Sequence, residues 1–222
     1  MLKDIAEGAF KGRQSWNQIG RAAYRGYLSG ACRQASRVVV KDPTASLMAA
    51  WINESFNARI LIIIRHPCGF ASSLDALNWP LDVIGLLRQE TLMHDHLEPY
   101  RDTLRQARGD KWLTRGAIWG AIHTVFSRQM NQHPDWQVFR YEDLCIDPER
   151  LFTRIIDTLG LEKSKYAEDK IRSLSSTRSS DSGSTRRKST EMPRIWQKRM
   201  SPGQIDAVNG IVSEFKLDFY QT

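Results

Sequence analysis

Cysteine is scarce. Cys32, Cys68 and Cys145 are the only three, they lie far apart, and none forms a CxxC pair. That excludes a disulfide framework and a closed four-ligand zinc site, and it fits a reducing compartment. Long apolar runs are absent too: nothing approaches the roughly twenty residues needed to span a bilayer. The leading segment MLKDIAEGAFKGRQSW lacks the apolar stretch of a secretion signal. The expectation is a cytoplasmic protein with no integral membrane segment. Glycine never clusters: Gly8, Gly12, Gly20, Gly26 and Gly30 are scattered, and no apolar strand precedes any of them. No Gly-rich strand-to-helix turn that could cradle a phosphate occurs. Internal repeats are absent as well.

What is present supports one ordinary α/β domain. Hydrophobic residues make up 41% of the 222 and charged residues 26%, enough for a sizeable core. Lys and Arg outnumber Asp and Glu by 32 to 25, giving +7, a surplus that favours anionic partners. Nucleic acid would call for basic residues interleaved with exposed aromatics on one face. The tryptophans fall instead on apolar helix faces, so no nucleic-acid role is expected. Arg37–Lys41 (RVVVK) reads as a short strand, Thr44–Phe56 as a helix, and Arg59–Arg65 (RILIIIR) as a second strand. Its five consecutive aliphatics mark a strand covered on both faces, as in a parallel sheet. Strand, helix and strand at this spacing predict a right-handed βαβ unit. The middle, from about 68 to 132, reads as helical with an interruption near Gly109-Asp110, and Trp136–Tyr141 as a third strand. Pro148 opens a helix to about Leu159, and Pro202 another to about Phe215. A single domain over 1–222 is expected, with an ill-defined helical lead-in at 1–36 and a flexible Ser/Arg-rich loop at 175–190.

The most informative stretch is Arg65-His66-Pro67-Cys68-Gly69-Phe70-Ala71-Ser72-Ser73. Arg65 closes a buried strand, and Ser73 follows two turns into the next helix. Ligands of open α/β sheets bind at the carboxyl ends of strands, and an Arg fork with a hydroxyl suits a phosphate there. The plainer reading, a capping Arg and a helix-buried Ser, stands beside it. RHPCGFASS resembles the motif by which sulfotransferases hold the 3′-phosphate of 3′-phosphoadenosine-5′-phosphosulfate. Lys41-Asp42-Pro43 is similar to the KDP that closes the preceding strand in that family. Phe139–Leu144 with Asp147-Pro148 resembles its YEDL…DP strand and turn. Arg186-Arg187-Lys188-Ser189, with Trp196 beyond, resembles its basic C-terminal loop. The resemblance runs over about 37–220.

The resemblance implies a P-loop-NTPase-like sulfotransferase fold. The reaction would transfer a sulfuryl group from the nucleotide to a hydroxyl or amine of a small-molecule or glycan acceptor, without a metal. Arg65 and Ser73 would bind the 3′-phosphate, joined by Arg187 and Lys188. Tyr141 would lie near the adenine, and Lys41 would stabilise the transferring group or orient the acceptor. In the family an earlier strand, followed by a loop resembling PKSGTTWL, holds the 5′-phosphosulfate and lies between the RHP and YEDL strands. Nothing similar occurs here, so the expected chain lacks its first strand and loop and transfers little sulfate. The alternative is an inactive or donor-binding fragment. Glu90, His94 and His123 are candidate general bases with nothing to choose among them. His94 and His96 alternate like a metal pair but point to different helix faces, so no metal is expected.

Overall fold

The computed structural model describes residues 39–41, 45–176 and 189–220. The chain divides into two compact units, Met1–Pro43 and Thr44–Thr222. The lead-in at 1–36 and residues 177–188 of the basic loop lie outside the described residues. Val39, Val40 and Lys41 are exposed and form no strand. Over these described residues this corrects the expected strand and the βαβ unit built on it; residues 37 and 38 lie outside the described residues. A β-branched run becomes a strand only where a neighbouring backbone pairs with it.

The second unit is mostly helical around a small parallel sheet, broadly α/β. A 3-10 turn, Ala45–Met48, leads into α1 (Ala49–Phe56), which ends at Asn57 with φ 48°. Strand β1 (Leu61–Ile64) runs into α2 (Pro67–Ala76), where Pro67 fills the first turn. The short helices α3 (Ile84–Leu87) and α4 (Glu90–Leu92) precede a π-helical turn, Met93–Leu97, and α5 (Arg101–Gln106). Gly109 takes φ +83°, and the Asp110 carboxylate then accepts the amides of Trp112 and Leu113, both at 2.8 Å. That cap starts α6 (Lys111–Gln132), a central helix buried along most of its length. Strand β2 (Gln137–Arg140) leads directly into α7 (Tyr141–Ile146), then α8 (Pro148–Thr158) and α9 (Lys165–Ser176). After a 3-10 segment, Ser189–Lys198, a Ser201/Gln204 capping box opens α10 (Pro202–Ser213).

The two strands pair directly and in parallel, Leu61 with Gln137 through to Ile64 with Arg140. The bond from Gln137 N to Ile60 O, at 3.2 Å, extends the pairing by one residue. No strand can lie between them, unlike the order implied by the resemblance. Ile62 and Ile64 pack with Trp119, Phe126 and Trp136 on one face, while Phe139 packs with Leu144, Leu151 and Ile155 on the other. Ile63 stays 48% exposed, so β1 is not covered fully on both faces as its sequence suggested. Among the described residues no helix is long and apolar enough to cross a membrane.

Candidate functional site

Three long-range hydrogen bonds hold three consecutive residues where β1 ends. The Tyr220 hydroxyl reaches Ile64 O at 3.0 Å, Trp119 Nε1 donates to Arg65 O at 2.8 Å, and His66 N donates to Glu142 Oε1 at 3.1 Å. Tyr220 also lies within hydrogen-bonding reach of the other Glu142 oxygen, so its single proton serves two acceptors. Burial and Glu142 together push the Tyr220 hydroxyl pKa up, keeping it neutral. The strand end is therefore fixed from α6, α7 and the C-terminal 3-10 turn, Asp218–Tyr220.

His66 caps α2 by accepting Cys68 N at its Nδ1, 3.2 Å away. Its ring stacks on Trp196 with centroids 4.7 Å apart. Burial lowers its pKa, opposed by the nearby Glu142 carboxylate. A neutral imidazole is the form that can accept this bond. Trp196 belongs to the 3-10 segment 189–198, which packs against both α2 and α7.

Arg65 is the centre of the arrangement. Its guanidinium lies over the Tyr141 ring, 4.5 Å from the centroid. Its Nε is buried and has no hydrogen-bond partner among the described residues. Gly69 makes this placement possible, since a Cβ there would come within 3.1 Å of that Nε. Ser73 follows Gly69 by four residues and so shares its helix face. Its hydroxyl donates no hydrogen bond among the described residues, and the Gly69 amide has no acceptor among them either. The Arg65 Nε and the Gly69 amide are thus unused donors at the start of α2, with the Ser73 hydroxyl one turn further along the same face, a set that suits an anion. Tyr141 is held neutral: burial first, then its bond to Cys145, raises it to about 12 against the opposing charge of Arg65.

Lys41 is exposed and belongs to the first unit. Arg187 and Lys188 lie outside the described residues. Of the candidate bases, His123 is 8% exposed, stacks on Trp119 at 3.9 Å, and bonds through Nδ1 to Trp119 O at 2.6 Å. Burial drives its pKa down to about 4. It is a core histidine. His94 is exposed and pairs with Asp95 at 2.8 Å, which raises its pKa. Glu90 is exposed on α4. No group of three metal-ligating side chains occurs among the described residues.

No family model, curated protein or solved structure matches the chain. The site therefore rests on its own geometry. Of the expected residues, the structure brings Arg65 onto Tyr141 and puts Ser73 one turn beyond Gly69 on α2, while Gly69, His66, Trp119 and Tyr220, which pack or bond around them, were not expected. Gly69 had a legible signal, standing four residues after Arg65 with no side chain. Trp119 and Tyr220 had none, because each acts across more than fifty residues of sequence.

Proposed function

We propose that this chain binds the 3′-phosphate end of 3′-phosphoadenosine-5′-phosphosulfate as part of a sulfotransferase of P-loop-like ancestry. One observation carries the reading: Arg65 directly follows the parallel strand β1 with its Nε buried and unpartnered among the described residues, next to Gly69, whose amide is unbonded among them, and with Ser73 one turn further along α2. A dianionic phosphate would supply acceptors to all three, and Tyr141 would hold the guanidinium flat for it. Arg187 and Lys188 directly precede the segment whose Trp196 packs beside Gly69, and they would add charge to the same phosphate. Lys41 would act on the transferring sulfuryl group. The acceptor would be a hydroxyl or amine, and catalysis would rest on positioning and electrostatics without a metal.

A second reading is donor binding without turnover. Direct pairing of β1 with β2 favours it, because it leaves no room between them for the strand that carries the family's 5′-phosphosulfate loop. Calorimetry tests what the two readings share. 3′,5′-Adenosine diphosphate should bind more tightly than 5′-adenosine monophosphate, by about 1.5–3 kcal/mol for each charge-assisted bond. Arg65→Ala should abolish that preference. Equal affinity for the two nucleotides in the unaltered chain sinks both readings. A radiolabelled sulfate-transfer assay then separates them, since turnover requires the first.

A further inference from the structure

Beyond the far end of α2 from Arg65, an open cavity of about 420 Å³ is walled by the last turn of α2, the loop at 78–82 and the start of α6. Its polar wall begins with Asp75, whose Oδ1 accepts from Lys111 Nζ at 2.6 Å and from Arg115 at 2.8 Å. These two cations hold the Asp75 pKa below the usual carboxylate range. Asp110 Oδ1 takes the two α6 amides, and Asp82 Oδ1 takes Ile84 N at 2.9 Å. In all three aspartates the second oxygen has no hydrogen bond among the described residues. Arg115 is only 5% exposed along its side chain, lines the cavity, and uses one N–H on Asp75 while its Cζ lies over the Trp112 ring, 5.1 Å from the centroid. The cavity therefore offers spare acceptors and spare donors together. The loop at 78–82 adds apolar lining through Trp79, Pro80 and Leu81. Asn78 turns the chain at φ 48°, Trp79 N bonds back to Leu74 O at 2.9 Å, and the Trp79 side chain stays 47% exposed beside Pro80.

Three carboxylates against two cations disfavour a free anion, and the buried Arg115 with Lys111 disfavours a free cation. Hydroxyl groups both donate and accept, so they can satisfy the two kinds of unused atom at once. A ring bearing them can lay its apolar face on Trp79, the common form of a small-molecule site with one apolar wall and a few placed polar groups. We propose that this cavity binds a neutral polyhydroxylated ring, a pyranose unit of a saccharide, stacked on Trp79. Its use as the acceptor subsite rests on the sulfuryl-transfer reading; the binding itself does not.

The whole chain is titrated by calorimetry and saturation-transfer NMR with the methyl glycosides of glucose, galactose, mannose and N-acetylglucosamine. Glucuronic acid and glucosamine serve as charged counterparts. At least one neutral glycoside should bind in the millimolar range, and Trp79→Ala should weaken it about tenfold or more. No binding by any neutral glycoside at roughly 20 mM overturns the proposal. So does an unchanged affinity in Trp79→Ala, or tighter binding of either charged sugar than of every neutral one. The nucleotide titration is run separately on the same chain. Saccharide binding without nucleotide preference keeps the cavity and removes the acceptor role. Nucleotide preference without saccharide binding removes the cavity alone.

Discussion

A methyl group at Gly69 would sit 3.1 Å from Nε and 3.4 Å from Cγ of Arg65, and 3.6 Å from Trp196 Cδ1. Backbone does not block it; the neighbour that must give way is the end of a long side chain. Helix propensity works in the opposite direction, since alanine inside a helix is favoured over glycine by about 0.5–1 kcal/mol. Gly69→Ala is therefore expected to leave the urea midpoint unchanged or slightly higher. It should at the same time move the guanidinium off the Tyr141 ring and weaken 3′,5′-adenosine diphosphate toward the level of Arg65→Ala. Unaltered nucleotide affinity in a stable Gly69→Ala chain would mean that Arg65 is not held for the ligand by this contact. At this scale the sequence was readable where a residue sits at an element boundary: Arg65 directly follows β1, Gly69 and Ser73 share one face of α2, and Tyr141 directly follows β2. The clamps Trp119, Glu142 and Tyr220 depend on tertiary contacts, which no local pattern encodes.

The central element is α6, and glycine works there in another way. A Cβ at Gly116 would lie 2.5 Å from Ile211 Cγ2 and 3.1 Å from Val208 O. A Cβ at Gly120 would overlap the ring of Phe215, which is 1% exposed and stacked on Tyr100. These two glycines let α10 and the turn after it approach α6 closely. Gly120→Ala should cost about 1–3 kcal/mol through overpacking, more than helix propensity returns. Urea denaturation should show a lower midpoint with an unchanged slope, and a midpoint equal to the parent would remove this account of the packing. Elements with strong local signals were readable from sequence. The aliphatic run gave β1, Pro148 and Pro202 opened α8 and α10, and Gly109-Asp110 broke the helical middle. The strand expected over 37–41 failed because β propensity records fit to a paired, half-buried surface. The described Val39 and Val40 have no such surface. Which strands pair is likewise nonlocal. The partner of β1 lies more than seventy residues away and nothing in RILIIIR names it.

The whole molecule carries its pH sensitivity in the aromatic core behind the sheet. His123 is packed between Trp119, Phe126 and Phe219, and burial lowers its pKa from 6.5 to about 4. The unfolded chain takes up this proton below pH 6.5 while the folded chain does not, so protonation favours unfolding. Stability from this group is complete above 6.5, falls as pH drops from 6.5 to about 4, and levels off below that. At 1.36 kcal/mol per pH unit the loss is on the order of 3 kcal/mol. His66 works in the same direction, because burial lowers its pKa as well. His94 works in the opposite one, but it is fully exposed to solvent screening. The lowered carboxylates Asp75, Glu98, Asp147 and Glu149 lose their contributions as they protonate at the acid end of this range and below it. Urea midpoints at pH 7, 6, 5 and 4.5 should therefore fall steadily across a range in which those carboxylates stay largely ionised. Replacing the imidazole by an apolar ring of similar span, His123→Phe, should flatten that fall whatever it does to stability at pH 7. If the slope between pH 6.5 and 4.5 is the same in parent and variant, His123 is not the group that unfolding protonates.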